Sequence, residues 1–149
     1  MAATVQMGHV GLNVSDLGRS KKFYQDLLGF EVKLESEERG RKFILLGRGP
    51  AILLTLWEQA KGGYAPGQAG LHHLSFQVDH MDEVRSTEGR LRSQGIDFHY
   101  SGVVPHAHGT ASGDIFFRDP DGIRLELFAP TGAEGLPAPK GDLPSCGFF

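Results

Sequence analysis

Only one cysteine, Cys146, and one tryptophan, Trp57, stand among the 149 residues. A single thiol excludes a framework of internal disulfides, and its place near the end of the chain gives it the reading of an incidental side chain. Basic runs are absent as well. Lys and Arg (15) fall short of Asp and Glu (18), for a formal net charge of −3. That balance argues against a nucleic-acid surface. No stretch nears the roughly 20 consecutive apolar residues of a membrane span, and the N-terminus lacks a basic-then-apolar leader. The expectation is a cytoplasmic protein with neither membrane nor nucleic acid among its partners.

What the chain does have is a 40% hydrophobic share against 22% charged, enough to build a core of useful size in one domain, 1–149. Three short runs carry a metal-ligand side chain on the polar face of a β-strand pattern. They are His9-Val10-Gly11-Leu12-Asn13-Val14, His73-Leu74-Ser75-Phe76-Gln77-Val78 and Ile123-Arg124-Leu125-Glu126-Leu127-Phe128. Alternation sends Val10, Leu12 and Val14, and their counterparts in the other runs, into a core. His9, His73 and Glu126 share the opposite face. Two histidines and one carboxylate form the ligand set of a divalent-metal site with coordination positions left open. His72, adjacent to His73, falls on the core side of the same alternation.

The chain also repeats itself weakly. Strand, helix and three further strands are expected near 8–14, 16–28, 30–35, 41–47 and 51–57, and again near 71–78, 81–94, 96–101, 113–118 and 123–128. Asp16 stands where an N-cap belongs, and Gly29 and Gly95 follow the two helical patterns as stops. Gly62-Gly63-Tyr64-Ala65-Pro66-Gly67 links the modules, about 8–57 and 71–128. The Gly/Pro-rich tail, 130–149, is too poor in periodic apolar residues for another element. Its end, Gly147-Phe148-Phe149, reads either as a disordered terminus or as an aromatic plug on the cavity or on a partner subunit.

With these runs in place the chain resembles the vicinal oxygen chelate superfamily, which includes glyoxalase I, extradiol dioxygenases, fosfomycin-resistance transferases and bleomycin-resistance proteins. The resemblance is carried by the opening from His9 to Leu17, by Phe23-Tyr24 and Leu28-Gly29-Phe30, and by Asp119-Pro120-Asp121-Gly122 leading to Glu126. It implies an α+β fold in which two β-α-β-β-β modules form half-barrels around a metal cavity, and a homodimer. It also implies one divalent ion (Fe, Mn, Zn, Ni or Co) and a small substrate that chelates it through vicinal oxygens.

Two departures narrow the activity. Some members take a fourth ligand from the last strand of the first module, where this chain offers only Thr55, so the four-ligand pattern of glyoxalase I is not met. In extradiol dioxygenases a histidine and a tyrosine precede the turn and the ligand glutamate. Here His108 is in register for that histidine, as a candidate general acid or base, and Phe116 replaces the tyrosine. His106 and His108 also read as a polar loop over the cavity mouth. The loop lacks Lys and Arg, which disfavours a phosphonate. The expected function is a metal-dependent dioxygenase-like or glyoxalase-like lyase or isomerase. The alternative is a non-catalytic binding protein of the bleomycin-resistance type.

Overall fold

Strand alternation sorts the first run, Val10–Asn13 (β1), into a buried Leu12 and an exposed Gly11 and Asn13. The computed structural model describes residues 2–147 and 149, in two compact units, Met1–Gly63 and Tyr64–Phe149. Phe148 lies outside the described residues.

In the first unit β1 is followed by helix α1 (Leu17–Leu28) and strands β2 (Glu31–Ser36), β3 (Phe43–Arg48) and β4 (Ala51–Trp57). They form a mixed sheet in the order β1-β4-β3-β2, with β1 parallel to β4 and the other pairs antiparallel. The start of α1 is held twice. Asp16 Oδ1 accepts from the Arg19 N–H at 2.9 Å, and Glu58 Oε2 from the Leu17 N–H at 2.8 Å. Gly29 ends the helix in the left-handed region, at φ 64°. Leu17, Tyr24 and Leu27 of α1 are buried, as are Leu12, Ile44, Leu46, Leu54 and Leu56 of the sheet. Each such side chain contributes roughly 1.5–3 kcal/mol by leaving water.

The second unit repeats the plan with β5 (Leu74–Gln77), α2 (Met81–Ser93), β6 (Val104–Pro105), β7 (Gly113–Arg118) and β8 (Arg124–Ala129). The sheet order is β5-β8-β7-β6, with β5 parallel to β8. Helix α2 packs on β7 and β8, and Met81, Val84, Leu91, Ile115, Phe117, Leu125 and Leu127 are buried. The protein is thus α+β, two four-stranded mixed sheets with one helix each, neither closed into a barrel. No helix among the described residues is long and apolar enough to cross a membrane.

One expected strand is absent. Segment 96–101 makes only an isolated bridge, Phe98 to Phe117, and the place beside β7 goes to the two residues of β6. Its aromatic side chains are engaged elsewhere. Phe98 packs on Phe117 and under the Arg92 guanidinium, and Tyr100 Oη donates to the Ser145 carbonyl at 2.9 Å. Pro105 in β6 brings no N–H to the ladder, which keeps that edge short.

The tail has almost no regular structure, only a 3-10 turn at Ser145–Gly147, yet it is anchored. The Ala133 N–H donates to the Ala111 carbonyl at 2.9 Å, and those of His108 and Ser145 donate to Gly141 and His106, each at 2.8 Å. Its close approach depends on Gly113, where an added Cβ would sit 2.6 Å from Ala133 Cβ and 2.8 Å from Met81 Cε. Phe149 is buried, at 6% exposure.

Candidate metal centre

Register builds the site on one face of the second sheet. Glu126 pairs with Ser75 on one side and Phe116 on the other, so these three side chains share a face. Asp114, two residues before Phe116, shares it too. His73 stands one residue ahead of β5, with its Nε2 3.2 Å from Glu126 Oε2. Glu126 is only 3% exposed. Burial, and then the neighbouring Asp114 carboxylate, push its pKa from 4.5 up to about 7. Burial likewise depresses the His73 imidazole, followed by the charges of His72 and Arg124. Both shifts favour neutral forms, so the contact is poorly described as an ion pair.

His72 is not in the helix layer, where alternation had placed it. It is exposed and precedes β5, so the strand period does not govern it. Its Nδ1 lies 2.8 Å from His73 Nδ1, and its Nε2 is 3.4 Å from Arg124 Nη1. A guanidinium only donates. His72 Nε2 therefore accepts, its Nδ1–H donates to His73 Nδ1, and the His73 Nε2–H points to the Glu126 carboxylate. A metal at His73 Nε2 would take that proton's place.

A second cluster adjoins the first. His106 follows β6, and its Nδ1 is 3.0 Å from Asp114 Oδ2. Asp114 is fully buried, and burial raises its carboxyl against the lowering effect of His106. Asp114 Oδ1 makes no hydrogen bond among the described residues. The tail delivers Cys146, whose Sγ is 4.0 Å from His106 Nε2. Two groups of potential ligand atoms result, His73 with Glu126 and Cys146, and His106 with Asp114 and Glu126. Within each group the atoms lie inside 4.8 Å of one another. The Phe149 ring stands over this face, 4.8 Å from Phe116 and 5.9 Å from His73 between centroids.

The structure thus brings His73 and Glu126 together. His9 lies in the first unit, exposed and one residue ahead of β1, the station His73 holds ahead of β5. Gly11 pairs with Thr55 as Ser75 pairs with Glu126, so Thr55 holds the station of the carboxylate. It is 2% exposed, and its hydroxyl accepts the Trp57 indole N–H at 2.9 Å. His108 is exposed, with its backbone N–H on Gly141; the histidine at the buried carboxylates is His106. Sequence reasoning did not single out Asp114, and it read Cys146 as incidental. The parity of Asp114 with Phe116 was a usable signal; for Cys146 there was none.

The chain is similar to several known proteins. A trivalent organoarsenical cleaving enzyme from Bacillus sp. (strain MD1) is 32% identical over 125 residues, covering 83% of this chain and 73% of that one. A glyoxalase/bleomycin resistance protein/dioxygenase domain from Frankia sp. EAN1pec superposes with a TM-score of 0.72 at 24% identity, covering 86% of this chain and 99% of that one. A variant of the fosfomycin resistance protein FosX from Listeria monocytogenes, complexed with Mn(II), superposes with a TM-score of 0.66 at 21% identity, covering 88% and 95%. Residues 6–127 match the sequence pattern of the Glyoxalase/Bleomycin resistance protein/Dioxygenase superfamily. With that match spanning both repeats and the fold agreeing, the chain belongs to this superfamily.

Proposed function

We propose that this protein is a divalent-metal-dependent enzyme acting on a small substrate that chelates through two vicinal oxygens, with dioxygenase-like or lyase-like chemistry. The observation that carries the reading is the contact of half-buried His73 with buried Glu126. Two ligand atoms about 2.0–2.2 Å from a shared ion in a tetrahedral array stand about 3.3–3.5 Å apart. The observed 3.2 Å is close to that spacing. An imidazole, a carboxylate and the orphaned Asp114 Oδ1 beside them also suit a cation chemically. His9 is the third ligand on the sequence pattern, and Thr55, already bonded to Trp57, is not a fourth.

A bound divalent ion supplies Lewis-acid polarisation, or dioxygen activation if it is iron. The chain's own part is to hold ligands, exclude water and move protons. Phe116 and Phe149 form an apolar wall beside His73. His106, with Nδ1 3.0 Å from Asp114 Oδ2, is held where its Nε2 can take part in proton transfer. It competes with His108 for the acid–base role. The Bacillus relative cleaves trivalent organoarsenicals, which adds that substrate class to the catechols worth testing. A homodimer belongs to the same reading, supported by apolar side chains left exposed, Met7, Leu34 and Trp57 among them.

Elemental analysis of protein purified without added metal tests the proposal, followed by turnover assays with catechols and organoarsenicals. About one divalent ion per chain, plus turnover of one class, is the expected result. A chain that stays metal-free and binds none of Fe, Mn, Zn, Ni or Co would reject it. Metal without turnover would favour the binding alternative.

A further inference from the structure

The superfamily resemblance supplies His9, His73 and Glu126, but says nothing of the donor that the tail carries to the same place. We propose that Cys146 joins His73 and Glu126 as a further protein ligand, so that the C-terminal segment contributes a thiolate to the metal centre. The inference rests on the metal reading above and adds to it.

Geometry is the first support. The Cys146 sulfur, an imidazole nitrogen of His73 and a carboxylate oxygen of Glu126 lie within 4.8 Å of one another. Around one ion with Zn–S of about 2.3 Å and Zn–N of about 2.0 Å, the tetrahedral S–N edge is about 3.5 Å. The sulfur is therefore within reach of a small side-chain adjustment. Its carrier is not a loose end. Ser145, the preceding residue, is 1% exposed, its N–H donates to the His106 carbonyl at 2.8 Å, and its own carbonyl accepts from Tyr100 Oη at 2.9 Å.

The second support comes from Asp114, a side chain outside the proposed ligand set. Asp114 is fully buried, has an oxygen without a hydrogen-bond partner among the described residues, and contributes to the overlapping ligand group with His106 and Glu126. A buried carboxylate oxygen left unpaired is costly, and a cation nearby relieves it. The same side chain holds His106 Nδ1, leaving Nε2 4.0 Å from Sγ as an acceptor for the thiol proton. When the S–H bond gives way to S–metal, the proton passes to Nε2, and no electrons change hands.

A thiolate alters the metal preference. Sulfur favours zinc and cobalt over magnesium and manganese, for which oxygen donors suffice.

Cobalt(II) titration of the full chain and of the Cys146→Ser variant tests this. The wild type should develop an intense near-ultraviolet sulfur-to-cobalt charge-transfer band. Cys146→Ser should lose the band and bind cobalt about tenfold more weakly or worse, while His73→Ala loses binding altogether. Cobalt should also slow alkylation of Cys146 by iodoacetamide in the wild type, a readout that stands if the serine variant folds badly. Bound cobalt with no charge-transfer band, or alkylation unchanged by cobalt, would overturn the thiolate and leave the three-ligand centre standing. No cobalt binding by the wild type would overturn both.

Discussion

Glu126 Oε2 faces His73 Nε2 at 3.2 Å from a position almost closed to solvent. Its pKa, raised from 4.5 to about 7 mainly by burial, gives the metal-free protein a defined pH dependence. Between those two values the folded chain holds a proton that the unfolded chain has released, so stability is full below about pH 4.5 and is lost as pH rises to about 7. At 1.36 kcal/mol per unit the loss is on the order of 3 kcal/mol. His73, whose pKa is depressed, works the other way in acid. The measurement is therefore the difference in urea midpoint between wild type and Glu126→Gln across this range. Parallel curves would refute the assignment.

His73→Ala and Glu126→Ala should leave the fold intact and abolish metal retention, as read by elemental analysis after dialysis. His72→Ala should not be neutral. With its Nδ1 2.8 Å from that of His73, it orients the ligand ring, and its loss should weaken metal affinity about 10–100-fold. Full occupancy in both ligand variants would remove the site from this face.

The two loop histidines can be separated by rate. His106 contacts a buried carboxylate, whereas His108 is exposed. His106→Ala should lower kcat about 10²–10⁴-fold, the usual worth of a positioned acid–base group, and His108→Ala should leave it nearly unchanged. The reverse ranking would restore the role to His108.

If catechols are substrates, Phe116→Tyr should raise their cleavage about ten- to hundredfold, because a hydroxyl here would lie beside the ligand carboxylate. The ring is 1% exposed and packed against Phe149 and Tyr100. The added oxygen should therefore also cost roughly 1–3 kcal/mol of stability. Absence of the yellow ring-opened product from both proteins, with iron bound, rejects the dioxygenase branch.

Light scattering at micromolar concentration should give twice the mass of one chain. A monomer there would count against the dimer.

Much of this was legible in the chain, because period is a local property. The caps at Asp16 and Gly29, both helices and the polar-face position of Glu126 on its strand follow from spacing alone. What escaped depended on competition between distant partners. Segment 96–101 has a strand's composition, but Arg92, Phe117 and Ser145 claim its side chains. His72 sits just outside β5, where alternation loses its force. The tail has no period at all. It is placed by single backbone bonds and by the space at Gly113, so nothing local announces that Cys146 and Phe149 return to the sheet.

The matched stations of Thr55 and Glu126 mean that the repeats are not interchangeable parts. A chimera joining two first units would carry two histidines and no acid, its hydroxyls tied to indoles. One joining two second units would carry two histidines and two acids. The carboxylate at this station therefore belongs to the second repeat alone, and exchanging one repeat for the other would change the charge presented there.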